Sequence, residues 1–277
     1  MKMNKLLRDF MAWWNRKIID RNRNIKPLPW DAISLDLPPD KEDDRDYIYS
    51  ALPITPLTKY SLQKYDSPVG YQQNLSSCTG WAVTAALENL YRNRLVDDLN
   101  FNHLSPLYVY YYARYLGAIE YKDAGATIRD AIKAANKYGA SLEQFWPYDT
   151  NKVFVKPSWL ANFNAPAFKI KKYERISGFF SNVPKDIKSA LLEKKRIVAG
   201  VLVHSNWETA RETGMIPAKG SAKQTGAHAI EIVGYNDDTQ LFTFKNSWGR
   251  WWGKSGYGYL SYDYIRRYEQ DVWAITI

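Results

Sequence analysis

At 277 residues and 45% apolar side chains the chain is long enough for one large domain or two lobes with a real core, which excludes a disordered polymer. Its single cysteine excludes an intrachain disulfide, and no stretch reaches the ~20 continuous apolar residues of a membrane span. The formal charge of +9 is uneven: residues 1–26 carry +6, residues 27–50 carry −5 and residues 51–277 carry +8. The body is therefore basic and attracts anionic partners, whether acidic peptides, membranes or nucleic acid, without identifying one.

Along the chain, Leu6, Leu7, Phe10, Met11, Trp13, Trp14 and Ile18 fall on one face of a helix with Arg8, Asn15 and Arg16 opposite, so the basic N-terminus reads as an amphipathic helix. Arg8 and Asp9 interrupt its apolar run and no small-residue cleavage site follows, against a secretory signal. Pro27, Pro29, Pro38, Pro39 and the acidic run Glu42, Asp43, Asp44 then read as a linker or strap. Residues 77–95 read as a buried helix with Ser76 or Ser77 as N-cap, followed by helices over 106–116 and 128–138, the latter ended by Gly139. Beyond Trp159 the texture turns to strands over 197–203, 229–233 and 241–245, with turns expected at 234–236 and 237–239. A helical half followed by a strand half, each with candidate chemistry, suggests a cleft between them.

The chemistry starts at Cys78, which sits at a predicted helix start, where the positive end of the dipole favours a thiolate. Such a nucleophile needs an imidazole as base and a third group to hold the ring. Of three histidines, His103 lies in a loop before a helix and His204 at a strand end, and both read as structural or solvated. His228 opens a strand, and one hairpin later Asn246 stands at the matching strand end, within reach because antiparallel neighbours lie about 4.8 Å apart. Trp248 is placed to shield their hydrogen bond from water.

From about residue 55 to 277 the chain resembles the papain family of cysteine peptidases, in particular its bacterial branch. The resemblance rests on ordered blocks: Gln72-Gln73-Asn74-Leu75-Ser76-Ser77-Cys78-Thr79, Glu143 to Tyr148 after Gly139, Gly226-Ala227-His228-Ala229, Lys245-Asn246-Ser247-Trp248-Gly249, and Gly253 to Gly258. It implies an α+β, two-lobed papain-like fold with a helical left lobe (about 71–160), a β-barrel-like right lobe (about 161–277) and the active site between them, preceded by an extension over 1–50. By the same resemblance Gln72 supplies an oxyanion-hole amide beside the Cys78 backbone N–H, while Gly125 and Trp248 contact substrate. Four positions depart from the family pattern: Gln73 and Ser76 replace glycines, Thr79 stands where Trp is common, as in parts of the bacterial branch, and Leu75 replaces a half-cystine, the last in keeping with a reducing compartment.

The reaction so implied is peptide hydrolysis through an acyl-enzyme, with a peptide or protein as substrate and no metal or organic cofactor. A papain-fold pseudoenzyme that binds peptides uncut, and a ligase passing the acyl group to an amine, use the same residues and stay open at this point. The extension is expected to dock on the catalytic domain as an inhibitory prosegment, with an anionic membrane surface as the alternative and nucleic acid disfavoured. A cytoplasmic protein, or one exported without a leader, is expected.

Overall fold

The computed structural model describes residues 27–94 apart from 54 and 56, 103–176 and 182–277. The amphipathic helix expected over Leu6 to Ile18 lies outside the described residues.

A short strand β1 (Lys59–Ser61) precedes three helices, α1 (Cys78–Arg94), α2 (Pro106–Leu116) and α3 (Ile128–Lys137). Each has a local reason. Ala82, Val83, Ala86, Leu87 and Leu90 give α1 a buried face with helical spacing. Ser105 caps α2 by accepting from the Tyr108 N–H at 3.1 Å, with Pro106 at the first turn where no N–H is needed. Thr127 caps α3 by accepting from the Asp130 N–H at 3.0 Å. Ser76 and Ser77 do not cap α1 as expected, because their hydroxyls are engaged elsewhere: Ser77 with the Tyr148 hydroxyl at 2.6 Å and Ser76 with Asp36 at 3.0 Å.

A short helix α4 (Trp159–Asn164) leads into β2 (Lys172–Arg175), α5 (Val183–Leu192), β3 (Arg196–His204), β4 (Gln224–Asn236), β5 (Leu241–Lys245), β6 (Tyr257–Ser261), α6 (Tyr262–Tyr268) and β7 (Glu269–Thr276). The strands form one antiparallel sheet in the order β2-β7-β3-β4-β5-β6, with β1 added to the far end of β4. It is open: among the described residues β6 does not pair with β2, so the expected barrel-like lobe is a sheet that does not close. The turn expected at 234–236 is absent for a related reason. β4 continues through Gly234, Tyr235 and Asn236 past a register shift after Ile232, paired with β5 on one side and β1 on the other. A side chain at Gly234 would meet the Tyr60 carbonyl at 2.7 Å.

Two apolar clusters lie on either side of this sheet. One joins α1, α2 and α3, and the other gathers α5, α6 and aromatic residues such as Trp207, Phe244 and Trp252. β3, buried along nearly its whole length, is shared by both, which explains its continuous apolar sequence. α1 packs directly on β4 and β3, so its first residue meets the sheet where β4 and β5 carry the predicted site.

The end of α3 provides a stability test. Gly139 has φ +90°, and a Cβ there would stand 2.0 Å from the Ala165 carbonyl. Gly139→Ala should lower the unfolding free energy by about 2 kcal/mol or more, read as a lower urea midpoint at unchanged slope.

Candidate active site

Cys78 is the first residue of α1 and is almost fully buried. Backbone hydrogen bonding from Ala229, the residue after His228, reaches its thiol. His228 lies within β4, and Asn246 immediately follows β5. Their side chains meet: His228 Nε2 lies 2.8 Å from Asn246 Oδ1, which also accepts from the Ser247 N–H at 2.8 Å. An oxygen that already accepts one N–H fixes the amide's orientation, so His228 must donate through Nε2–H and keeps its lone pair on Nδ1, an atom with no hydrogen-bond partner. Trp248 stacks on the imidazole with ring centroids 4.5 Å apart and planes at 28°. The predicted shield is therefore in place.

Gln72 is fully buried and held at four points. Its N–H donates to the Ser247 carbonyl at 2.8 Å, its carbonyl accepts from the Tyr148 hydroxyl at 2.7 Å, and its Oε1 accepts from Ser247 Oγ at 2.7 Å. With Oε1 occupied, Nε2 is turned to the Leu75 carbonyl at 3.0 Å and to the Ser34 carbonyl at 3.4 Å. Gln73 adopts φ +56°, so a non-glycine residue takes the left-handed conformation here. Ser76 has no such conformation; its N–H faces the Asp123 carboxylate at 3.2 Å. Tyr148, Ser247 and Asp123 were not assigned roles from sequence. Tyr148 and Ser247 sit in motif blocks, but the partners they touch are more than seventy residues away along the chain.

Residues 28–49 run across this site as a strap. The Leu28 N–H donates to Tyr71 Oη at 3.0 Å, Trp30 meets Trp248 edge-on at 5.5 Å, and the Leu35 carbonyl accepts from the Ala227 N–H at 2.9 Å. Asp36 then lies so close to Gly125, which has φ +75°, that a Cβ there would stand 2.1 Å from the Asp36 carbonyl oxygen. Leu37 is buried over Gly200 and Ile128. Farther on, the Asp40 N–H donates to Asp271 at 2.9 Å, and its carboxylate accepts from the Arg129 N–H at 3.0 Å and from Trp273 Nε1 at 2.7 Å. Asp46 binds Arg129 and Arg175. The acidic contacts thus come from Asp40 and Asp46, whereas Asp43 of the run 42–44 pairs locally with Arg45 at 2.8 Å.

Beneath the strap, burial dominates the electrostatics. It pushes the Cys78 thiol up to about 11 and the His228 imidazole down to about 4, although Asn246 pulls the latter the other way. Burial therefore favours the neutral thiol and the neutral imidazole here, against the thiolate expected from the helix end. His103 stands 3.5 Å from Glu88, and buried His204 bonds the Tyr264 hydroxyl at 2.6 Å. Neither is part of the Cys78 site.

Residues 61–271 match the family model for papain family cysteine proteases. An uncharacterized peptidase C1-like protein of Acanthamoeba polyphaga mimivirus is 36% identical over 215 residues, covering 74% of this chain and 68% of that protein. Among solved structures, xylellain, a cysteine protease from Xylella fastidiosa, superposes with a TM-score of 0.77 at 28% identity, covering 91% of this chain and 98% of its own. A digestive procathepsin L 3 from Tenebrio molitor larval midgut matches all of this chain and 95% of its own with a TM-score of 0.69 at 15% identity, a likeness of fold. With the match spanning most of its length, the chain belongs to the papain family of cysteine proteases.

Proposed function

We propose that the cleft hydrolyses peptide bonds with Cys78 as nucleophile, His228 as base, Asn246 as the group that orients the ring, and Gln72 as an oxyanion donor. The observation that carries this reading is the 2.8 Å contact between His228 Nε2 and Asn246 Oδ1, which leaves the basic nitrogen Nδ1 unpartnered beside a helix that begins with the only thiol. The thiol proton passes to Nδ1 as sulfur attacks the carbonyl carbon. The charge formed on oxygen is met by Gln72 Nε2 and the Cys78 N–H. Collapse breaks the C–N bond, the imidazolium protonates the departing amine, and water then cleaves the thioester by the reverse proton path.

Cys78→Ala should abolish both peptide cleavage and labelling by a thiol-reactive epoxide; cleavage retained by the pure variant would overturn the assignment. A wild-type protein that binds peptides yet is never labelled, even after the strap is weakened, would be a pseudoenzyme. His228→Ala should lower kcat by up to about 10⁴-fold, Gln72→Ala by about 10²–10³-fold, and Asn246→Ala by less than His228→Ala.

We further read the strap as an inhibitor in cis. Support comes from its position: it places a carbonyl toward Gln72, lies flush on Gly125 and fills the space over Gly200 with Leu37. Leu37→Asp should loosen it. Because Cys78 is the only thiol, iodoacetamide alkylation at pH 7 reports the opening directly, rising about tenfold for each unit by which the thiol pKa falls. Equal rates in wild type and variant would remove the inhibitory role.

Docking of the strap should also depend on pH. Burial, and then the neighbouring Asp40 charge, raise the Asp271 carboxyl to about 7 against the pull of Arg175 and Arg129. With the strap lifted away, Asp271 regains water and its pKa falls toward the carboxylate range. The docked state then binds more protons between those two values, so docking is strongest at acid pH and weakens as pH rises through about 7. Asp271→Asn should flatten this component of the alkylation profile; an unchanged profile would show that the latch does not titrate.

A further inference from the structure

The chain from Thr150 to Tyr173 holds five lysines and no acidic residue. Within it, Phe154, Trp159 and Phe163 are 56%, 72% and 77% exposed, with Val155 and Leu160 about half exposed beside them. No other group of exposed aromatic residues in the described part is so concentrated in sequence. None of the five lies among the residues of the cleft.

These side chains are held outward by a built support. Ser158 caps α4 by accepting from the Ala161 N–H at 3.2 Å, and Ala161 is fully buried. Asn162 Oδ1 accepts from both the Tyr108 and Tyr112 hydroxyls, and its amide donates to the Pro157 and Ser158 carbonyls at 2.9 Å. With that face of the helix tied down, Trp159 and Phe163, one turn apart, pack edge to face at 5.8 Å on the outside. Upstream, the Arg114 guanidinium, 5.8 Å from the Phe154 ring, donates to the Val153 carbonyl and fixes the preceding turn. An exposed apolar surface with this much support costs solubility without gain unless something covers it.

Charge selects the cover. Lys156 is exposed within the patch, Lys152 lies one turn of chain before it, and Lys169, Lys171 and Lys172 follow α4. A second copy of the chain would bring these lysines against their equivalents, and lysine is depleted in protein–protein interfaces. Tryptophan and phenylalanine rimmed by lysine instead match a membrane interface, with rings at the boundary of headgroups and acyl chains and ammonium groups among lipid phosphates. We propose that Phe154, Val155, Trp159, Leu160 and Phe163 form an interfacial docking surface for anionic phospholipid bilayers, with Lys152 and Lys156 as its electrostatic rim. The chain lies on the bilayer; no helix among the described residues is long and apolar enough to cross one.

The test uses the full-length chain and vesicles of phosphatidylcholine alone or with about 30% phosphatidylserine. Wild type should pellet with the anionic vesicles, less so at high salt, and not with phosphatidylcholine alone. Trp159→Ser with Phe163→Ser should weaken binding by about tenfold or more, and Lys152→Glu with Lys156→Glu by at least about fivefold per lysine. Trp159, Phe163 and Lys156 are exposed and Lys152 is half-buried over the Trp146 ring, so melting temperature serves as the control for folding. Wild type that does not pellet, or variants that pellet like wild type because the basic N-terminus carries the binding, would overturn the proposal. So would a wild-type dimer in sedimentation velocity that Trp159→Ser with Phe163→Ser dissociates, since the patch would then be a protein interface.

Discussion

The hydrogen bond between His228 and Asn246 is where sheet geometry becomes chemistry. A net contribution of about 1 kcal/mol makes such a bond a minor term in stability. Its effect is directional: it sets which imidazole nitrogen carries the proton. The bond exists because β4 and β5 are paired with Glu231 opposite Lys245, which brings Asn246, the residue after β5, beside the start of the buried run of β4. It survives because Trp248 lies flat on the ring and is itself boxed by Trp30, Trp207 and Trp252. The following residue, Ser247, holds Gln72 through both its carbonyl and its hydroxyl. One strand end therefore orients both His228 and Gln72, and a shift in β5 register would displace the two together.

The strap lies directly on this machinery, with the Ser34 carbonyl toward Gln72 Nε2 and Trp30 against Trp248. Ser34, Asp36 and Leu37 lie over Gln72, Gly125 and Gly200, and burial of Cys78 and His228 favours a neutral thiol and a neutral imidazole. The Asp36 charge, also felt by the thiol, acts in the same direction. The strap is anchored away from the cleft, where Asp40 and Asp46 meet Arg129, Arg175 and Asp271. The charged contacts of the strap are thus separate from its apolar contact, which Leu37 makes over Gly200.

Much of this was legible in the sequence. Helix starts at Pro106 and Ile128, and the strand 241–245, follow from capping residues and alternation, and the Cys78, His228 and Asn246 trio follows from motif order. What escaped was whatever depends on partners distant along the chain. The extension of β4 through Asn236 rests on its pairing with both β5 and β1, and the open sheet depends on which edges meet. The rise of the Cys78 pKa comes first from burial, to which the Asp36 charge adds, and a helix-end argument has no knowledge of either. The acidic run 42–44 drew attention by its density, yet Asp40 and Asp46 make the contacts, since Arg129 and Arg175 lie under them and not under Asp43.

The helix that begins with Cys78 is also pinned ten residues farther on, by a buried charge arrangement. Lys245, one residue before Asn246, points inward and donates to Ser67 Oγ at 2.8 Å; Ser67 in turn binds Glu88 of α1. Burial alone would raise the Glu88 carboxyl, but His103, Lys245 and Ser67 outweigh it and hold it below its usual range, so it stays ionised and also accepts the Leu104 N–H at 2.6 Å. Glu231, the cross-strand neighbour of Lys245, has neither oxygen hydrogen-bonded. Burial, and then the Asp66 charge, push its carboxyl well above the usual range against the pull of Lys245 and Arg196. A carboxyl that keeps its proton makes little claim on Lys245. The single ammonium is thereby left to Ser67 and Glu88, and α1 is tied to the strand that presents Asn246.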